Sequence, residues 1–259
     1  MLSAWEAILL GLIQGLTEFI PVSSSGHLVI AQALLGIKQP MITFDVFVHV
    51  GTLVAVITAF WGDVSALLRR PLCKTTGLLV IGTIPAVVLV LLLGDVVDAM
   101  FSSLTVVLLA LILTGLLLSV SDKFHGSGRM EDMSYGTALM VGLFQGVAIV
   151  PGLSRSGSTI FGSLLGGLNR TDAARFSFLL SIPVIVGAAA KQLLDMRHLG
   201  GLAIQWTYFL GALVAGVSGY FAIRFFLKLL GQRSLRYFAY YCWILAIVVA
   251  LSRILGWIA

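Results

Sequence analysis

Residues 14–27 read QGLTEFIPVSSSGH. Glu18, Pro21, three serines and His27 stand here where an apolar chain should place its first membrane span. A buried carboxylate, a helix breaker and an ionisable ring each cost free energy in hydrocarbon, so their concentration in one stretch calls for partners or for function. The fold turns on where those partners lie.

With 59% hydrophobic and 10% charged residues and a mean hydropathy of +1.07, the chain is an integral membrane protein. Soluble proteins carry roughly 25% charged residues. The 259 residues hold six or more spans, at about 20 residues each, and the short alternating strands of a barrel are absent. No soluble domain has room. The first basic residue is Lys38, so the N-terminus lacks the basic region of a signal peptide and is expected to be retained. Cys73 and Cys242 are too few for a disulfide framework. The net charge of +5 is scattered over short loops, which argues for topology signals and against nucleic acid.

Long apolar runs at 41–62, 77–93, 104–120, 173–195, 206–229 and 237–258 predict six spans. Two further apolar regions, 4–36 and 135–168, are broken midway by Pro21 with SSSGH and by Pro151 with GLSRSG. At 1.5 Å per residue, roughly 10 residues reach the bilayer midplane, so each region can enter and return as a helix-loop-helix hairpin. Non-helical backbone at that depth must be buried in protein or line a wet cavity.

The two broken regions resemble each other. At an offset of 131, Gly11, Leu12, Gln14 and Gly15 fall on Gly142, Leu143, Gln145 and Gly146, and Ser23, Ser25 and Gly26 fall on Ser154, Ser156 and Gly157. Each is followed by a Phe-rich span, from near Phe44 and Phe176. A hairpin plus three spans is an odd number of crossings, so the second half is inverted relative to the first. The expected fold is an all-α polytopic membrane protein: one membrane domain over 1–259, with repeat 1 at about 1–120, a cytoplasmic linker at about 121–134 and repeat 2 at about 135–259. Each half is a re-entrant hairpin plus three transmembrane helices. His125, in the linker, reads as part of a solvated connector.

On this topology one side collects Arg69, Arg70, Lys74, Lys123, Arg129, Arg170, Arg175, Arg224, Lys228, Arg233 and Arg236, against Lys38, Lys191, Arg197 and Arg253 on the other. The positive-inside rule makes the first side cytoplasmic and puts both termini outside.

In an inverted repeat the hairpin tips meet near the membrane centre, bringing SSSGH beside SRSGST. Each tip restarts a helix whose first amides lack acceptors, and with the macrodipole these suit an anion. Ser23, Ser24, Ser154 and Ser156 suit N-cap positions. Arg155 supplies a permanent cation with a fork matched to phosphate oxygens, while Gly26 and Gly157 admit close approach of backbone to ligand. Two helix N-termini and an arginine suit a diphosphate. Simpler accounts exist residue by residue: packing for Ser23, Ser25, Ser158 and Ser163, a structural ion pair for Glu18 with Arg155, and helix packing for His49. Asp45, near a membrane boundary, reads as interfacial.

QGLTEFIPVSSSGH followed by PGLSRSGST resembles the bacterial undecaprenyl-diphosphate phosphatases, the bacitracin-resistance phosphatases, over essentially the whole chain. The resemblance implies hydrolysis of undecaprenyl diphosphate to the monophosphate, dependent on a divalent cation, magnesium or calcium. It also implies residence in the bacterial plasma membrane with the active site open to the outer face. The implied partners are a polyprenyl diphosphate lipid and the membrane, with no nucleic acid and with a homodimer left open. The family's glutamate-rich pattern falls on Gln14 and Glu18, its serine-histidine motif on Ser24 and His27, and its serine-arginine motif on Ser154, Arg155, Ser156 and Thr159. Where many relatives carry a glutamate this chain has Gln14, whose amide oxygen can still coordinate a cation.

The residues agree with these roles. Gln14 and Glu18 share a helix face; Glu18 can hold the cation or act as base, Arg155 neutralises charge growing on the phosphoryl group, and His27 can donate to the leaving phosphate or activate a nucleophile. Ser24 and a directly attacking water are the rival nucleophiles. Ser23, Ser25, Gly26, Ser154, Ser156, Gly157 and Thr159 complete the expected substrate contacts. The type 2 phosphatidic-acid phosphatases share SGH and SR elements, but the catalytic histidine they need after the arginine is missing: SGSTIF follows Arg155. A transporter or flippase of a polyprenyl phosphate is the alternative, because broken helices in inverted repeats also build transporters.

Overall fold

The computed structural model describes residues 2–37, 41–124, 126–198, 204–230 and 233–256, the side chains at 192, 193 and 195–198 excepted. Lys38, His125 and the side chain of Arg197 lie outside the described residues. Within them the chain is helical, with one isolated bridge between Gly128 and Leu168 and no strand. Six helices are long and apolar enough to cross a membrane: α3 (Ile42–Ala59), α5 (Lys74–Met100), α6 (Leu104–Ser121), α9 (Arg170–His198, apolar to Lys191), α10 (Trp206–Leu230) and α11 (Arg236–Ile254). The six apolar runs read from sequence match them, and the chain is a multi-pass membrane protein.

Four shorter helices form two broken pairs, α1 (Ala4–Glu18) with α2 (Ser24–Leu34) and α7 (Tyr135–Val147) with α8 (Arg155–Leu165). Ser3 and Ser134 cap the outer ends of α1 and α7. At 15, 11, 13 and 11 residues, each is about 16–22 Å long, short of the roughly 30 Å hydrocarbon core.

A further helix, α4 (Trp61–Arg69), takes the last two residues of the apolar run 41–62 and continues beyond it. The α4 helix has no buried residue and exposes Trp61 and Leu68 beside Arg69. An amphipathic surface helix carries too little net hydrophobicity to register as a span.

Polar contacts sort the loops onto two ends. At one end Asp122 accepts from Arg170 at 2.6 Å, from the Leu235 amide at 3.3 Å and from the Ser234 hydroxyl. Arg175 there pairs with Asp63 and, at 3.0 Å, with Glu131. The Glu131 carboxyl lies below the ordinary range, chiefly through a hydrogen bond from its own amide, and Arg175 adds to this against partial desolvation. At the opposite end the Leu2 amide donates to Gln205 at 3.1 Å, and Arg253 donates to Thr105 at 2.7 Å. Thus α1 starts at one end and α7 at the other. α1 packs on α10 as α7 packs on α5, α3 packs against α9 and α10, and α6 against α11. Cys73 and Cys242 are free thiols.

The core runs through the centre of this arrangement. Phe19, the residue after α1, is fully buried and meets Phe178 of α9 edge-on at 5.3 Å between ring centroids. Phe178 in turn packs against Phe60 and Phe226. Apolar packing therefore fixes the C-terminal end of α1 against the first half of α9, where the polar groups gather.

Candidate functional site

The two breaks are built alike. Ser23 precedes α2 and its Oγ accepts from the Gly26 amide at 3.2 Å; Ser154 precedes α8 and its Oγ accepts from the Gly157 amide at 3.0 Å. Ser23 and Ser25 hydroxyls lie 3.3 Å apart, and those of Ser154 and Ser156 3.2 Å apart. Only Ser23 and Ser154 are N-caps. Ser24 and Ser156 sit inside the first turn, because one residue with non-helical backbone can serve each helix start. Ser24 and Arg155 are each the first residue of their helix, so the same place in the two breaks holds a hydroxyl in one and a guanidinium in the other.

The tips touch. The Gly152 amide donates to Ser25 Oγ at 3.3 Å, and Ser156 Oγ donates to the Ile20 carbonyl at 3.3 Å. A Cβ on Gly26 would stand 3.1 Å from the Gly152 Cα, while one on Gly152 would strike the Val107 carbonyl at a φ of +95° that L-residues rarely adopt. Thr114 holds the second tip from both sides, donating to the Gly152 carbonyl at 3.1 Å and accepting from the Ser154 amide at 3.0 Å. Ser23 itself has φ of +70°, the one described non-glycine residue with positive φ. Such a conformation costs about 1–3 kcal/mol and persists where surroundings hold it.

Glu18, 6% exposed at the side chain, is the hub. One carboxylate oxygen accepts from Gln14 Nε2 at 2.9 Å and Ser24 Oγ at 2.5 Å, with His49 Nε2 at 3.5 Å; the other pairs with Arg155 Nη2. Arg155 also donates from Nη1 to the Ser177 carbonyl at 3.3 Å, and the Ser177 hydroxyl meets Thr159 Oγ1 at 2.6 Å. α1, α2, α3, α8 and α9 thus all reach one carboxylate-guanidinium pair.

Of the residues singled out from sequence, Gln14, Glu18, Ser24, Arg155 and Thr159 converge here. Ser23, Ser25, Gly26, Ser154, Ser156 and Gly157 build the tips around them. His27 points elsewhere: Nδ1 bonds the Ser23 carbonyl at 2.7 Å and Nε2 bonds the Tyr241 hydroxyl of α11 at 2.7 Å. His49, read as more suited to packing, is the histidine beside Glu18. Its Nδ1 donates to the Asp45 carbonyl at 2.6 Å, which turns Nε2 toward the carboxylate. Asp45 accepts from Gln32 at 2.9 Å and so is tied into α2 as well as lying near the start of α3. Ser177 was missed altogether. Its part is played largely by backbone, which no sequence motif marks.

A hard cation takes oxygen ligands. Besides the Glu18 carboxylate and the Ser24 hydroxyl, the site offers Gln14 Oε1, which is buried without a hydrogen-bond partner. Among the described residues no cluster of three His, Cys, Asp or Glu side chains could hold a metal. The described side chains that could offer oxygen to such a cation here are thus Glu18, Ser24 and Gln14.

Cavity volume does not mark this place. A groove of about 450 Å³ between α3 and α10, lined by Val50, Val54, Leu213 and Phe221 among others, contains none of these residues and is apolar. A pocket of about 180 Å³ lies at the Asp63, Glu131 and Arg175 end.

Residues 7–248 match the family described as bacitracin resistance protein BacA. The chain is 46% identical to an undecaprenyl-diphosphatase of Halothermothrix orenii, covering 95% of this chain and 96% of the relative. It is 40% identical to one of Carboxydothermus hydrogenoformans (98% and 99% covered) and 39% identical to one of Methanosphaera stadtmanae (98% and 99% covered). With the match running nearly end to end and taking in both tips, this chain belongs to the bacitracin resistance protein family.

Proposed function

We infer that the chain hydrolyses undecaprenyl diphosphate to undecaprenyl phosphate and phosphate, recycling the lipid carrier of cell-wall synthesis and conferring resistance to bacitracin. The observation that carries this reading is the buried Glu18–Arg155 pair, held where two helix N-termini meet. A carboxylate, a guanidinium and the N-terminal ends of two helices at one point match a diphosphate and its hydrolysis.

The residues act as follows. Arg155 exchanges Glu18 for phosphate oxygens, keeping its second amine on the Ser177 carbonyl, and opposes the charge that grows on the terminal phosphoryl group. The first-turn amides of α2 and α8 take further oxygens. Glu18, already the acceptor of the Ser24 hydroxyl proton at 2.5 Å, is placed to receive that proton as an oxygen nucleophile attacks phosphorus and the bridging P–O bond breaks. Ser24 is that nucleophile: undecaprenyl phosphate leaves, and a water then attacks the phosphoserine, giving up a proton to Glu18, releasing phosphate and restoring the Ser24 hydroxyl; a water attacking the diphosphate directly is the rival. His49, when doubly protonated, donates from Nε2 to the same Glu18 oxygen that Ser24 meets. Glu18 and Gln14 would hold a divalent cation, magnesium or calcium, which when bound would supply Lewis-acid neutralisation of the phosphate oxygens.

The same reading takes the chain as one membrane domain of two inverted repeats, about 1–120 and 135–259, joined by a cytoplasmic linker at 121–134. The broken pairs are re-entrant hairpins. What supports it is the like construction of the two tips and the starts of α1 and α7 at opposite ends. The basic end carrying Arg69, Arg70, Arg170 and Arg175 is cytoplasmic, so both termini and the active site face outward from the plasma membrane. A homodimer is compatible with the broad apolar surface.

Phosphate release by the purified protein in detergent, with no membrane to cross, tests this against the transporter alternative. Turnover of a prenyl diphosphate there requires hydrolysis; a flippase shows none.

A further inference from the structure

The environment of His27 carries more than its place in a motif. A carbonyl oxygen only accepts, so the 2.7 Å contact with the Ser23 carbonyl favours the proton on Nδ1 without by itself excluding the other tautomer. The neutral ring then presents a lone pair at Nε2, and the Tyr241 hydroxyl, 2.7 Å away, donates into it. The two rings lie within 1° of parallel with centroids 5.6 Å apart. α2 packs on α1 and α6, and the His27 ring reaches past them to α11. Ser23, at the other end of the imidazole, is the residue with positive φ, and its carbonyl is aimed by that backbone.

We propose that Tyr241 is a positioning residue: together with the Ser23 carbonyl it fixes His27 as the Nδ1–H tautomer and holds Nε2 as an acceptor at the edge of the tip. This rests on the phosphatase reading, extended by giving His27, whose ring faces away from Glu18, a proton-handling part in the reaction. A histidine that must handle protons is useful in one tautomer, set by what its other nitrogen bonds. Here the setting comes from both sides, one backbone and one side chain, and the side-chain half lies on a helix that no motif includes. During turnover the phenol yields Nε2 to the reacting groups and reclaims it afterwards.

The test uses full-length protein in detergent. Nitrogen-15 histidine spectra, with the His27 signals assigned by their loss in His27→Gln, should show one neutral tautomer with unprotonated Nε2. Tyr241→Phe should convert this to a mixture and lower kcat about 10-fold, with KM within about twofold, part of the range for displaced acid-base groups. If Tyr241→Phe keeps the single tautomer, or changes it without changing kcat, the proposal is overturned. A kcat loss with the tautomer intact overturns it too, since Tyr241 then acts by another route. Should Tyr241→Phe not fold, 3,5-difluorotyrosine at 241 keeps the shape and sharpens the donor, and an unmoved His27 Nε2 signal defeats the idea. His27→Gln turning over at the wild-type rate would instead strike the reading of His27 as part of the reaction, whatever the spectra show.

Discussion

Arg155 and Glu18, 137 residues apart in the chain, form an ion pair with side chains 15% and 6% exposed. Removing one partner of such a pair leaves an uncompensated buried charge, at a cost of about 3–5 kcal/mol, whereas removing both is often near neutral. Stability and chemistry can therefore be separated.

Lysine at 155 keeps the charge and loses the planar fork that now spans Glu18 and the Ser177 carbonyl. Arg155→Lys should fold and lose about 10²-fold or more in phosphate release, the scale of a lost transition-state donor. Glu18→Gln combined with Arg155→Met should approach wild-type thermal stability in detergent and be inactive. Near wild-type turnover by the double variant would mean that the pair serves the fold alone.

Gln14, Glu18, Ser24 and Arg155 were legible because each is a polar residue in an apolar region, and hydrocarbon makes such residues expensive. The six spans were legible for the same reason. Other parts were hidden by their nature. Whether His49 packs or meets Glu18 depends on the rotation of α3, which packing against α9 and α10 decides, and on the ring orientation set by the Asp45 carbonyl. Ser177 contributes its carbonyl to Arg155, and a carbonyl has no letter in a sequence. α4 was lost to a hydropathy reading that sees spans and not surface helices. The direction in which His27 points was beyond reach, since Tyr241 lies 214 residues away in a helix with no motif.

Gly152 tests the contact between tips. Its φ of +95° and the collision of any Cβ with the Val107 carbonyl leave no room for alanine. Gly152→Ala should cost about 2 kcal/mol or more, combining left-handed backbone strain with overpacking. Thermal unfolding in detergent measures this, and an unchanged midpoint would mean that the tips part more easily than their contacts suggest.

Cation dependence turns on Gln14. With one carboxylate and an unpartnered amide oxygen, the site should bind a divalent ion weakly, and the substrate should supply the balance. Excess chelator should abolish phosphate release. Gln14→Glu should lower the half-saturating magnesium concentration several-fold, because it adds a charge on the same helix face. Activity that survives chelation would remove the cation from the mechanism.

Sidedness can be read with exposed positions on loops from the two ends. Leu72, 99% exposed, follows α4 beside Arg69, Arg70 and Lys74, while Ser102 is exposed in the short turn between α5 and α6 at the opposite end. In a background with Cys73 and Cys242 replaced by serine, Ser102→Cys should react with a membrane-impermeant maleimide in intact cells. Leu72→Cys should react only after permeabilisation. The expectation rests on the excess of Lys and Arg in the short loops at the Leu72 end, since translocating those charges is what the membrane potential and insertion machinery disfavour. Native Cys73, half-buried beside Thr76 with its thiol drawn below the ordinary range by that hydroxyl, offers a check in the unmodified chain. It too should be shielded in intact cells. Labelling of Leu72→Cys from outside, with Ser102→Cys protected, would invert the orientation and open the Glu18–Arg155 site to the cytoplasm.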